Sequence, residues 1–307
     1  MIPIVILAVV EYFANFNMNA DHMFLYPSHL AFADTAHNKI ELNRLVLGVH
    51  YNNESKAYPI RFLGYHHHLI DTIGGKAILV TYCTVCRTGR VYEPIVNHQA
   101  TSFRLVGMDH YNAMLEDHMT KSWWRQSTGE AIAGKLKNNV LPDFPFIQST
   151  LKEWLMNHPD TKILQIDSSH LEDYSKDLAY ESGTSRKQLT GTDSLSWHRK
   201  SWVVGIQPNG VAKAYDWISL KHENIIHDRV GGIPLVIAIQ SDTVNFSVFK
   251  RNESDTFHLH GDTLIDQKLN KYSMDGKSLN GQSNLLPIQA FQEFWHSWQF
   301  FHPGTLK

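Results

Sequence analysis

The stretch LVLGVHYNNESKAYPIRFLGYHHHLIDTIGGKAILVTYC, Leu45 to Cys83, decides how the chain is built, because it has an echo. WVVGIQPNGVAKAYDWISLKHENIIHDRVGGIPLVIAIQ, Trp202 to Gln240, matches it without a gap. Gly48 falls on Gly205, Lys56-Ala57-Tyr58 on Lys213-Ala214-Tyr215, Asp71 on Asp228 and Gly74-Gly75 on Gly231-Gly232, each pair 157 positions apart. The ends correspond as well. LKEWLMNHPDT (Leu151–Thr161) parallels FWHSWQFFHPGT (Phe294–Thr305), with Trp154 on Trp298 and His158-Pro159 on His302-Pro303. A period this long is not a solenoid repeat. It predicts two tandem copies of one domain, the first over 40–167 and a degenerate second over 199–307. The polar stretch 168–198 between them reads as an exposed linker.

Runs rich in β-branched and aromatic residues, bounded by Gly, Asn or Pro, predict strands. In the first copy these are VLGVHY, KAYPIRF, AILVTYC, RVYEPIV and TSFRLVG. Each copy closes with a C-terminal helix. In the first, Thr150 and Glu153 fit a capping box and Pro159 stops the helix; in the second, Pro287 suits the first turn and Pro303 the stop. The fold class is therefore α+β, with β dominant.

With 43% hydrophobic and 19% charged residues over 307 positions, this is a folding sequence and not a disordered one. A net charge of −2 without a Lys/Arg-rich stripe argues against a nucleic-acid partner. The opening MIPIVILAVV is almost wholly apolar, about half the length that spans a bilayer, and no basic residue precedes it. It reads as the tail of a membrane helix, which makes 1–20 an apolar tether and puts the rest, membrane-associated, on the extracytoplasmic side. A buried first element and a weak signal are the alternatives.

The only cysteines are Cys83 and Cys86. The second copy has Gln240 and Thr243 in their places, and it also shortens Phe103–Asp117 and loses the Trp123-Trp124-Arg125-Gln126 run. Features kept by one copy alone are candidates for a job, so the first copy reads as active and the second as scaffold. Asp117, matched by Asp266, reads as structural. Three chemistries fit the pair. Thiolates two residues apart can face one transition metal ion, copper or zinc. Cys83, Cys86, His66, His67 and His110 are then the candidate ligands, with Asp109, Trp124, Gln126 and Glu130 lining the pocket. Alternatively the pair is a thiol–disulfide couple whose thiolate is favoured by Arg87 and Arg90. The third reading is a static buried pair in an interaction scaffold. On a strand, His66 and His68 would share one face, with His67 opposite.

Taken together, these motifs resemble the bacterial and archaeal domain of unknown function 3179. The resemblance rests on Ala57-Tyr58-Pro59, the His66–Asp71 run, Thr81–Cys86, and Ser122–Gln126 before Thr128-Gly129-Glu130-Ala131. It covers Leu45 to Ile166, with the second copy as a degenerate continuation. Thr84-Val85 replaces the Pro-Leu of the commoner form, which leaves the turn less rigid and both sulfurs in place. The resemblance implies membrane helices ahead of the domain. It implies no particular reaction.

Overall fold

Leu45–Tyr51 pairs antiparallel with Glu54–Pro59 across Asn52-Asn53, whose positive φ values of 51° and 65° make the tight turn. Pro59 then ends the strand. It has no N–H for the ladder, and its extended backbone serves as the N-cap of a helix over Ile60–His66. The expected strand KAYPIRF is thus strand only as far as Pro59. The histidine run is corrected with it. His66 closes the helix, His67 stops it at φ 62°, and His68 opens the next strand, so the three do not share one strand. His68–Ile73, Lys76–Cys83 and Thr88–Tyr92 follow as an antiparallel meander.

The computed structural model describes residues 2–175 and 178–307, and the second half runs through the same element order. Trp202–Ile206 and Lys213–Asp216 pair, the helix Trp217–Glu223 follows, and Asn224 stops it at φ 62°. Ile225–Val230, Ile233–Ile239 and Phe246–Lys250 form the meander. Side-chain contacts recur too. Lys56 and Tyr58 hold Asp71 at 2.9 and 2.8 Å; Lys213 and Tyr215 hold Asp228 at 2.8 and 2.7 Å.

Each half packs a helix over its first sheet through one tryptophan. Thr150 caps Leu151–Asn157 by accepting from Glu153 N at 3.3 Å. Trp154 donates to Thr161 Oγ1 at 2.9 Å and stacks on His158; Trp298, on Trp295–Phe301, donates to Thr305 Oγ1 at 2.8 Å and stacks on His302. Gly48 and Gly205 lie directly under these rings, and a Cβ at either would come within 2.2 Å of the indole. Pro287 does not begin the second helix. It sits in a short edge strand opposite Phe249, where a missing N–H is harmless, and Ala290–Phe294 must still pair with Trp202–Ile206 before the helix starts.

The halves meet through reciprocal contacts. Gln148 donates to Gln292 at 3.1 Å. Thr150 N, at one helix start, donates to Asn245 of the other half at 2.8 Å; Phe294 N, at the other, donates to Cys86 O at 3.0 Å. The expected exposed linker is corrected in part. Positions 176 and 177 lie outside the described residues, but Tyr174 is buried in the first core and Tyr180 packs against both. Glu181 pairs with buried Arg44 at 3.0 Å. The average polarity of the stretch concealed these three anchors. At the N-terminus, where Met1 lies outside the described residues, the helix Ile2–Tyr12 exposes Ile4 and Leu7 at 71% and 67%. No helix among the described residues is long and apolar enough to cross a membrane.

Gly48→Ala and Gly205→Ala should each lower stability by about 1–3 kcal/mol in urea unfolding, the range for overpacking a filled core. Trp154→Leu should make Gly48→Ala nearly neutral. A full cost for Gly48→Ala in the Trp154→Leu background would contradict the proposed contact.

Candidate functional site

The strand Lys76–Cys83 returns as Thr88–Tyr92 with Cys83 opposite Thr88, so Thr84–Arg87 form the connection and Arg87 takes φ 56°. This geometry turns both cysteines inward. They are free thiols, fully buried, packed with Leu79, Leu105, Leu115 and Trp124. A second hairpin closes over them. Phe103–Asp109 turns into Asn112–Asp117 through His110 and Tyr111, both with positive φ, and the Tyr111 carbonyl oxygen lies 3.4 Å from the Cys83 sulfur and 3.3 Å from the Cys86 sulfur.

The two sulfurs have unequal surroundings. Cys83 is held below the ordinary thiol range, first by a hydrogen bond from the Cys86 thiol and then, against its burial, by the backbone N–H groups of Cys86, Ala113 and Val85. Cys86 is pushed well up by donating to Cys83, by burial and by the negative charge of Cys83. Ser297 acts the other way, and the Glu293 carboxylate raises it further.

Behind the sulfurs lies a polar network with no exposed member. Gln126 donates to Thr81 Oγ1 and to Thr88 O, both at 2.9 Å, and accepts from Asn112 at 2.8 Å. Arg90 donates to Ser127 O at 2.9 Å and pairs with Glu293. The Glu293 carboxylate also accepts from Ser297 at 3.0 Å and from Thr88 at 3.4 Å. His296 Nε2 donates to Val85 O at 3.1 Å. The site is therefore built by both halves.

The family model described as Protein of unknown function (DUF3179) matches residues 26–305, nearly the whole chain and both halves. The chain belongs to that family. No curated protein and no solved structure matches it. The second half is thus part of the DUF3179 unit, which extends well beyond the Leu45–Ile166 span of the motifs.

In this DUF3179 chain the nine expected site residues fall into three places. Cys83, Cys86, Trp124 and Gln126 share the buried neighbourhood; Trp124 Nε1 donates to Asp117 at 2.9 Å. Asp109, His110 and Glu130 form a cluster at the hairpin tip. Arg125 bridges Asp109 and Glu130 at 2.7 and 2.9 Å, His110 donates to Asp109, and its ring stacks on Phe300. His66 and His67 lie elsewhere. His66 contacts Leu25 O and the Tyr174 hydroxyl, and His67 packs on Phe24. Among the described residues, no three His, Cys, Asp or Glu side chains converge as a metal-holding group. Arg87 and Arg90 do not serve the thiols as expected. Arg87 bonds Tyr180 O at 2.9 Å and lies over Trp202, and Arg90 is locked on Glu293.

Sequence reading missed Glu293, Ser297 and His296 because it treated the second half as framework. The signal was available in the matching positions of the two halves. Glu293 stands opposite Val203 where Ser149 stands opposite Val46, so the second half carries a charge where the first has a hydroxyl.

Glu293→Leu should cost about 3–5 kcal/mol in denaturant unfolding, because it strands the buried Arg90 guanidinium. Arg90→Met combined with Glu293→Leu should recover most of that loss. Equal destabilisation of the single and double variants would refute a balanced buried pair.

Proposed function

We propose that this protein is a thiol–disulfide redox protein whose working pair is Cys83 and Cys86. The observation that carries the reading is geometric: two free sulfurs lie buried side by side across one Cys-x-x-Cys turn, close enough for the Cys86 thiol to reach Cys83. One sits in a cradle of backbone N–H groups, which favours the thiolate, and the other is kept protonated by its neighbour and Glu293. That division suits a nucleophile and a resolving thiol. The Cys83 thiolate attacks one sulfur of a partner disulfide, forming a mixed disulfide while the partner's other sulfur leaves as thiolate. Cys86 gives up its proton and attacks the Cys83 sulfur. The Cys83–Cys86 bond forms, the second partner sulfur leaves and takes up that proton, and two electrons have passed to the partner. Because both thiols are buried under the Tyr111 carbonyl, a partner reaches them only when the tip Asp109–Asn112 swings aside.

One observation favours a second reading. Both sulfurs face the same carbonyl oxygen and hence one point in space. Two soft thiolates suit a copper(I) ion, whereas zinc asks for two further ligands that the converging groups do not supply.

The same reading takes the halves as tandem copies, over 40–167 and 199–307, related as the subunits of a symmetric dimer. The supports are the repeated element order, the twin Gly–Trp contacts and the pairing of the equivalent Gln148 and Gln292. The solvent-facing apolar helix at the N-terminus supports a membrane tether.

Oxidised dithiothreitol should convert the folded protein to an intramolecular disulfide, detected as loss of both free thiols. Cys86→Ser should trap a mixed disulfide on Cys83, with a pH midpoint for modification below that of an ordinary thiol. In Cys83→Ser, burial and Glu293 still hold the Cys86 proton, so Cys86 should react more slowly than Cys83 does in Cys86→Ser. Thiols that stay reduced across the whole glutathione range, in a protein that retains copper(I) through dialysis, would reject the redox reading and support the second.

A further inference from the structure

The halves touch across two like surfaces, and the two are filled differently. On the dithiol side, Arg90 covers the Phe291 ring at 3.8 Å and pairs with Glu293. By strand register, the positions equivalent to Arg90, Phe291 and Glu293 on the other surface are Ser247, Ile147 and Ser149. Two charged chains and an aromatic ring are replaced there by two hydroxyls and an aliphatic chain. What remains is a cavity of about 470 Å³, walled by Trp154, Phe246, Phe249 and Ile288. That volume lies in the range that encloses small organic ligands.

The cavity carries no spare charge. Asp275, on its wall, is already paired with Lys277 at 2.7 Å. Its distinctive polar feature is a pair of stacked imidazoles, His50 and His158, with ring centroids 4.9 Å apart. Ser55 Oγ lies 2.8 Å from His50 Nδ1 and 3.3 Å from His158 Nδ1. A serine has one proton, so it donates to one ring and accepts from the other. With both rings neutral, one Nε2 then carries a proton and the other a lone pair. Burial first, then the neighbouring His50 and Lys277, hold His158 down to about 4, so it is neutral at pH 7. A hydroxyl both donates and accepts and matches such a pair. A charged group would be desolvated without a counter-charge.

We propose that this cavity binds an uncharged planar ring compound bearing a phenolic hydroxyl, the ring lying between Phe246 and Ile288 and the hydroxyl on the His50–His158 pair. The site is independent of the thiols. Calorimetry with 1-naphthol as probe should give one binding equivalent. 1-Methylnaphthalene, lacking the hydroxyl, and 1-naphthoate, carrying a charge, should each bind about tenfold more weakly. Ser247→Arg with Ser149→Glu, which rebuilds the charged pair of the other surface, should abolish binding and leave the thiol titration unchanged. Ile288→Trp, on the cavity wall, should weaken binding even if the rebuilt pair fails to fold. His50→Phe should reduce 1-naphthol to the affinity of 1-methylnaphthalene. The proposal is overturned by no detectable binding, by equal affinity for 1-naphthol and 1-methylnaphthalene, or by unchanged affinity in Ile288→Trp.

Discussion

A carboxylate and a guanidinium sealed from water, Glu293 and Arg90, fix where the halves of this protein stand. Neither has an exposed surface through which water could stabilise it alone, so each requires the other. The strand bearing Arg90 also bears Thr88, which sits opposite Cys83, and the strand bearing Glu293 leads into the helix bearing Ser297. The placement of the thiols and the docking of the second half are therefore one constraint. It gives the second half a chemical part in a site that its missing cysteines had seemed to deny it.

Much of the framework was legible because the two halves share matching sequence positions. The Gly48–Trp154 and Gly205–Trp298 contacts, the Asp71 and Asp228 clasps and the closing helices all lie at positions that match between the halves. What could not be read are the places where one residue redirects the chain. Pro59 turned an apparent strand into a helix, and Pro287 lay at a sheet edge rather than a helix start. Propensity over a window does not see such single-residue effects. The linker failed in the opposite way, since Tyr174 and Tyr180 were outvoted by their polar neighbours.

The site was half legible. Gln126 was singled out because its run is kept by the first half alone, and it does lie behind the cysteines, tying Thr81 and Thr88 to Asn112. Histidines were grouped with the sulfurs by chemical type alone, without a register to bring them there. The His66 ring is engaged with Leu25 O and the Tyr174 hydroxyl, the His67 ring packs on Phe24, and His110 is engaged with Asp109 and Phe300. Differences between the halves were sought only where the first half had gained something. The same comparison run in the other direction finds Glu293.

The crossed hydrogen bonds at the two helix starts have a consequence for the chain as a polymer. Thr150 N finds its acceptor in the distal half, and Phe294 N finds its own in the proximal half. A ribosome that has finished only the first of them has made something whose helix entrance and buried guanidinium both wait for residues not yet synthesised. The proximal segment is thus no portable module. The strand Ala290–Phe294, near the end of the chain, is what brings Glu293 to Arg90 and Phe294 N to Cys86 O.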